Sequence, residues 1–178
     1  MELKNSKTYK NLQAAFAGES MARNKYTFYA SVAKQAGYEQ IAAIFEENAN
    51  NEKEHAKRTA RLMGDVIGDT KWNLEQSISG ENHEATSMYP EFEKVAREEG
   101  FTDIADYFKE VGEVEEAHRN RFAALLERLK AGTVFKRDKP VQWKCRNCGY
   151  IHTGPEAPDK CPCCLHPRAY FEELVINY

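Results

Sequence analysis

Proline and cysteine are almost absent from the first three quarters of the chain. No cysteine precedes residue 145, and Pro90 is the single proline between residues 6 and 130. No apolar run approaches the roughly 18 residues of a membrane span, and residues 1–10 lack the apolar segment of a secretory signal. The net charge of −3 gives no electrostatic reason to expect a nucleic acid or an anionic membrane as partner. These absences predict a cytoplasmic protein without a membrane segment.

All cysteines lie near the carboxyl terminus. Five are packed into residues 145–164. A disulfide scaffold spreads its cysteines along the chain and pairs them evenly, so an odd, crowded set favours metal ligation.

Residues 6–130 are predicted to be helical almost throughout. Ala, Glu, Lys, Arg and Leu dominate, and Gly37, Gly64, Gly68 and Gly100 mark the breaks. The segment 65–72 joins the two halves and is long enough for a crossover. The predicted helices span residues 6–35, 38–64, 73–99 and 102–131.

An internal repeat relates the two halves. Residues 37–58 align with residues 100–121 at an offset of 63. The preceding helices correspond more loosely, since Glu19 aligns with Glu81 at an offset of 62 whereas Tyr26 aligns with Tyr89 at 63. One extra residue in the third helix is what a π-bulge would produce. Two similar helical hairpins in a pseudo-symmetric four-helix bundle are therefore predicted.

After Lys130 the composition changes to aromatics, prolines and glycines, which predicts a β- and turn-rich module. About 40 residues bury too little apolar surface to be stable alone, and a metal would supply the missing stability. We therefore predict a helical domain at 1–137 and a metal module at 138–178.

The helical domain contains a duplicated Glu-x-x-His motif. Residues three apart share one face of a helix, and each of the other two helices offers a glutamate in the matching place. One Glu from each of two helices and Glu-x-x-His from the other two is the ligand set of di-iron carboxylate bundles, and these ligands suit iron or manganese. Taken singly, each motif is more often a pair of solvated surface residues. The six candidate ligands are Glu19, Glu52, His55, Glu81, Glu115 and His118.

Three further residues accompany this set. Glu84 lies on the face of Glu81 and has no glutamate at its repeat position, so it is either a seventh ligand or a surface acid. Tyr26 and Tyr89 are expected as core aromatics whose hydroxyls could meet a ligand carboxylate.

The second candidate site is Cys145-x-x-Cys148 followed, twelve residues later, by Cys161-x-x-Cys164. This spacing indicates a tetrahedral thiolate site for iron or zinc, and Gly149 after the first motif favours iron. A structural zinc ribbon is the alternative. Cys163 lies outside the spacing and is expected to be a bystander. The expected aromatic core is Trp143, Tyr150, Tyr170 and Phe171.

Together the motifs resemble the rubrerythrin family over nearly the whole chain. The resemblance rests on AFAGESMARNKY (15–26), the two Glu-x-x-His helices, GENHEATSMYPEF (80–92) and WKCRNCGY…CPCC (143–164). It implies a ferritin-like four-helix bundle with a rubredoxin-like module, two irons in the bundle and one iron on four cysteines. Zinc could replace iron in either site. The implied di-iron ligands are the six above plus Glu84, with Tyr26 and Tyr89 beside them, and Glu84 and His55 match a ligand pair that exchanges with redox state.

The same resemblance implies a homodimeric peroxidase that reduces hydrogen peroxide to water in oxidative stress defence. Because the sequence has no G-x-G-x-x-G fingerprint, electrons are expected from a separate NAD(P)H-linked reductase or a rubredoxin. The rival hypotheses are a ferroxidase or iron-storage protein, a di-iron oxygenase with an organic substrate, and a non-enzymatic interaction protein with a zinc ribbon.

Overall fold

The computed structural model describes residues 2–177. The protein separates into two compact units, Met1–Asp69 and Thr70–Tyr178, and each is described here by itself. The sequence-based boundary between residues 137 and 138 falls inside the second unit, so it stays a prediction. Among the described residues, no helix combines the length and apolar composition needed to cross a membrane.

The first unit is a helical hairpin of α1 (Lys7–Gln35) and α2 (Glu39–Met63). Ser6 caps α1, since its hydroxyl accepts a hydrogen bond from the Tyr9 N–H at 3.1 Å. Gly64 ends α2 with φ of 77°, a left-handed conformation that suits glycine. The buried face consists mainly of alanine, which lets the two helices approach closely: Ala30, Ala33, Ala42, Ala49, Ala56 and Ala60.

The second unit begins with the corresponding hairpin. Its first arm is α3 (Thr70–His83), a π-helical turn (Glu84–Met88) and α4 (Tyr89–Glu98), and its second arm is α5 (Thr102–Lys130). The predicted π-bulge is confirmed by this turn. The predicted helix bounds hold to within one residue, except that the third helix begins at Thr70 rather than residue 73.

A three-stranded antiparallel sheet follows, with strand order β2–β1–β3. The strands are β1 (Lys136–Cys145), β2 (Ile151–Glu156) and β3 (Phe171–Glu173). Trp143 of β1 pairs with His152 of β2 and with Glu173 of β3. Its indole N–H donates to the carbonyl of Gly154 at 3.0 Å, which satisfies the polar atom of a fully buried ring.

The core of this module is smaller than expected. Trp143 and Phe171 are buried, together with Cys145, Ala157 and Cys161. The prediction that Tyr150 and Tyr170 belong to this core is wrong, because they are 36% and 40% exposed. A tyrosine can keep its hydroxyl in water while only part of its ring packs, and the sequence alone does not distinguish this from burial.

Candidate metal centres

The first hairpin brings together Glu19 of α1 with Glu52 and His55 of α2. One ligand atom from each lies within 4.8 Å of the others. The Nδ1 atom of His55 is 2.8 Å from Oε2 of Glu52 and 3.8 Å from Oε1 of Glu19. Since Glu52 and His55 are one turn apart on α2, the helix itself aligns them, and the alanine-lined hairpin brings Glu19 to the same place.

The second hairpin repeats this arrangement with Glu81 of α3 and with Glu115 and His118 of α5. Their ligand atoms also lie within 4.8 Å of one another. The Nδ1 atom of His118 is 2.7 Å from Oε2 of Glu115 and 3.6 Å from Oε2 of Glu81. The structure thus groups all six sequence-derived candidates, three within each unit.

Glu84 lies at the start of the π-helical turn and is half-buried. It is not one of the three residues grouped in that hairpin. Burial and Glu115 are the main causes that raise the pKa of Glu81 and of Tyr89, and the charge of Glu84 adds a smaller contribution in the same direction. Its carboxylate is therefore an electrostatic neighbour of the group. Its role as a seventh ligand stays a prediction.

Tyr26 and Tyr89 each belong to an aromatic cluster, and the two clusters lie at equivalent positions of the internal repeat. The ring centroid of Tyr26 is 6.1 Å from that of Phe45, and the centroid of Tyr89 is likewise 6.1 Å from that of Phe108. α5 lies close to the Tyr89 backbone at Gly112, where an added Cβ would be 3.4 Å from the Tyr89 Cβ, in van der Waals contact. Within residues 2–177 the structure records no hydrogen bond from either tyrosine hydroxyl, so contact with a ligand carboxylate stays a prediction. Burial, with the charges of Glu115 and Glu84, raises the pKa of Tyr89 and keeps it a phenol.

The crowded carboxylates fit a bound cation. A hydrogen bond with Glu52, together with burial, raises the pKa of Glu19. The hydrogen bonds that Glu52 makes with Glu19 and with His55 lower the pKa of Glu52. Burial and the neighbouring Glu115 raise the pKa of Glu81 in the same way. Two carboxylates held together favour one shared proton, and a metal ion would replace that proton and remove the repulsion. Carboxylate oxygens with imidazole nitrogens form a donor set that suits iron.

The four predicted thiolate ligands are also together, with all their sulfurs within 4.8 Å. The Sγ atoms of Cys145 and Cys164 are 3.7 Å apart, as are those of Cys148 and Cys161. A tetrahedral site with metal–sulfur bonds of about 2.3 Å has sulfur–sulfur distances of about 3.8 Å. The two measured separations of 3.7 Å therefore match those of a metal-bound site.

Backbone N–H groups are directed at these sulfurs. A hydrogen bond from the N–H of His166 lowers the pKa of Cys164 to about 6. The N–H of Tyr150 acts in the same direction on Cys148, but burial and the neighbouring thiols outweigh it and raise the pKa of Cys148. Four thiols this close cannot all ionise without a cation, which again fits a metal. Cys163 is exposed and lies outside the four-sulfur group.

Comparisons with known proteins agree with this geometry. Residues 10–126 match the rubrerythrin family, and residues 143–172 match the rubrerythrin rubredoxin-like domain. The chain belongs to the rubrerythrin family. It is similar to the rubrerythrin of Porphyromonas gingivalis, with 50% identity covering 99% of this chain and 94% of that protein. It is also similar to the rubrerythrin of Nitratidesulfovibrio vulgaris, with 47% identity covering 99% of this chain and 98% of that protein.

The same organism's nigerythrin is a more distant relative at 34% identity, covering 92% of this chain and 85% of that one. A solved structure of fully reduced, all-ferrous nigerythrin aligns with a TM-score of 0.37 and 33% identity, covering 95% of this chain and 87% of that chain.

Family membership confirms the predicted fold class, a ferritin-like helical protein with a rubredoxin-like module. The predicted cofactors are supported by two carboxylate–histidine groups for iron and a four-cysteine rubredoxin-like cluster. Proteins of this family are generally oxidoreductases, and this chain has candidate metal ligands that suit such redox chemistry.

Proposed function

We propose that the protein is a peroxidase that reduces hydrogen peroxide to water at its carboxylate–histidine iron site and takes part in oxidative stress defence. The observation that carries this proposal is the presence, on one chain, of two equivalent Glu, Glu, His groups and a separate four-thiolate group. The first kind of group suits a site that binds and reduces a small oxidant, and the second suits a one-electron relay.

The reaction needs two electrons and two protons for each peroxide, and it breaks the O–O bond to give two water molecules. Bound iron would supply the electrons and act as a Lewis acid on the peroxide oxygens. We assign Glu19, Glu52, His55, Glu81, Glu84, Glu115 and His118 as its ligands.

The residues around these ligands have distinct tasks. Glutamates such as Glu52 and Glu115 would balance the cationic charge, and their positions one turn before a histidine would orient each imidazole. Burial and the charge of Glu115 raise the pKa of Tyr89, so it keeps its proton and could donate a hydrogen bond to a bound peroxide.

The four-cysteine module would pass electrons one at a time from an external reductase or rubredoxin. Four thiolates hold iron in a fixed geometry, so a change of one unit of charge requires little rearrangement. We further propose a cytoplasmic homodimer. Large apolar side chains such as Phe28, Val32 and Ile44 are more than half exposed on the first hairpin, and a helical partner would cover such a surface.

Single-turnover and steady-state kinetics test this function. Anaerobically reduced, iron-loaded protein should consume peroxide faster than dioxygen. The variant Cys148→Ser should lose the thiolate-bound iron but keep its single-turnover reaction with peroxide. Its steady-state rate with a reductase should fall by more than about tenfold. Cys163→Ser is the matched control, because this thiol is exposed and lies outside the cluster.

Three outcomes would contradict the proposal. Preferential reaction with dioxygen would favour a ferroxidase. Undiminished steady-state turnover in Cys148→Ser would make the module structural. A colourless protein that binds only zinc would favour an interaction protein.

A further inference from the structure

The connection between α5 and β1 is held by hydrogen bonds at both of its ends. At the helix end, the N–H of Thr133 donates to the carbonyl of Arg128 at 2.9 Å. At the sheet end, the carbonyl of Phe135 accepts a hydrogen bond from the N–H of Ala157 at 2.9 Å, and the Phe135 ring packs on the module's core. These contacts order the connection, residues 131–135, which we call the joint.

Arg137 links the two ends of this joint. Its side chain is only 19% exposed. One guanidinium nitrogen donates to the carbonyls of Thr133 and Lys136, both at 2.6 Å. Two others contact Oε2 of Glu173, Nε at 2.9 Å and Nη2 at 2.7 Å. The guanidinium also lies over the Trp143 ring, 5.3 Å from its centroid.

These partners belong to different parts of the second unit. Thr133 continues from the end of α5, whereas Glu173 is on β3 and pairs with Trp143 of β1. Cys145 lies two residues beyond Trp143, on the same strand and the same face. A continuous set of contacts therefore runs from α5, through Arg137, to the strand that carries a thiolate ligand.

An arginine is suited to this position and a lysine is not. Its planar, fork-shaped guanidinium can serve several acceptors at once while stacking on an aromatic ring. The neighbouring pair between Lys136 and Glu156, at 2.8 Å, differs because its side chains are 58% and 44% exposed. Solvent weakens such a surface pair, so the two adjacent cations have unequal roles.

We propose that Arg137 is a positioning residue that fixes the four-cysteine module on the end of α5, and that this fixed placement sets the rate of electron transfer to the carboxylate–histidine site. The proposal rests on the peroxidase function proposed above. The joint at the end of α5 determines how the module extends from the helical region, so it determines how the thiolate-bound iron is placed relative to a receiving site in this chain or in the partner subunit of the proposed homodimer. Each transfer oxidises one ferrous thiolate-bound iron and reduces one ferric ion of the helical site, twice for each peroxide.

The test uses full-length, iron-loaded protein reduced at both sites and mixed with hydrogen peroxide. The return of the ferric–thiolate absorption reports the internal transfer. Arg137→Met keeps apolar bulk over Trp143 but removes every donor, and it should slow this phase by about tenfold or more, since small misplacements have large effects on rate. Arg137→Lys should restore little of the loss. The control Lys136→Ala removes an adjacent cation and should match the parent protein.

Two readouts separate positioning from damage to the sites. The thiolate–iron spectrum, its reduction potential and the peroxide consumed at the helical site in the first turnover should be unchanged in Arg137→Met. Limited proteolysis should cut residues 131–137 faster in that variant than in Lys136→Ala.

An unchanged transfer rate in Arg137→Met, or equal proteolysis of the two variants, would overturn the positioning role. If the parent protein itself shows no peroxide-driven oxidation, the proposed peroxidase function fails. The proteolysis comparison then still decides whether Arg137 fixes the joint.

Discussion

In the second hairpin, the Nδ1 atom of His118 lies 2.7 Å from Oε2 of Glu115, the residue one helical turn before it. The same relationship joins His55 and Glu52 at 2.8 Å, 63 residues earlier in the sequence. Each Glu-x-x-His motif thus forms a compact pair within its own helix. Both pairs acquire a second carboxylate from the other arm of their hairpin.

If these groups bind metal, neutralising one glutamate in either should weaken metal binding. We expect Glu52→Ala or Glu115→Ala to lower the iron affinity of the helical region at least about tenfold, with the thiolate-bound iron retained. Metal analysis with a visible spectrum measures both sites. Glu54→Ala is the control, since Glu54 is on the same helix, pairs with Lys57 and is 58% exposed. Full iron content in both ligand variants would contradict the assignment.

Glu84 is expected to affect turnover more than ferrous binding. It lies three residues after Glu81, at the start of the π-helical turn and outside the compact group, so its carboxylate could join a site that gains charge on oxidation. Glu84→Ala should lower peroxide turnover about tenfold while ferrous affinity changes by less than about threefold. Glu98→Ala, an exposed acid of α4, is the control. Parent-level turnover in Glu84→Ala would reduce Glu84 to a surface acid.

The stability of the first hairpin should depend on pH through Asp65. Its Oδ2 accepts a hydrogen bond from the Tyr9 hydroxyl at 2.6 Å and pairs with Lys4 at 3.0 Å. Both partners lower the pKa of Asp65 below its ordinary value of 3.8. A carboxyl with a depressed folded-state pKa stabilises the protein above its unfolded pKa, and this contribution disappears as the pH falls through the folded value.

Replacing Tyr9 with Phe should therefore lower the melting temperature by a few degrees at neutral pH. The difference from the parent protein should shrink steadily below about pH 4. Thermal unfolding across this range measures it, with Tyr38→Phe as control because Tyr38 is 61% exposed. A Tyr9→Phe difference that is constant with pH would mean that the ring, rather than its bond to Asp65, matters.

The sequence predicts features that depend on periodicity or spacing. The extra residue between the Glu19/Glu81 and Tyr26/Tyr89 alignments predicts the π-helical turn, and the turn is there at Glu84–Met88. The same logic predicts both Glu-x-x-His pairs, since their geometry is local to one helix. The cysteine spacing predicts a cage whose sulfurs do lie together.

Features that depend on tertiary contacts are not visible in the sequence. Arg137 follows a run of ordinary linker residues, and its partner Glu173 is 36 residues away, so no motif marks the contact. The exposure of Tyr150 likewise depends on how few residues the module has to cover it. The left-handed backbone of Leu165 could not be predicted from the sequence, because glycine is the residue that ordinarily adopts this conformation.

Leu165 leads to the last prediction. The two cysteine motifs form equivalent turns: the N–H of Gly149 donates to the carbonyl of Cys145 at 2.9 Å, and the N–H of Leu165 donates to that of Cys161 at the same distance. Gly149 has φ of 79° and Leu165 has φ of 64°. A leucine in this conformation costs about 1–2 kcal/mol, and a side chain that is 62% exposed recovers little of that by packing.

Leu165→Gly should therefore stabilise the module by about 0.5–1 kcal/mol, after allowing for the greater flexibility of glycine in the unfolded chain. Gly149→Ala, the reciprocal change in the equivalent turn, should destabilise it by about 1 kcal/mol. Urea unfolding followed by the thiolate–iron absorption band measures both. A destabilised Leu165→Gly variant would show that contacts of the leucine side chain outweigh the backbone strain, since the hydrogen bond of this turn is made by the backbone and survives the substitution.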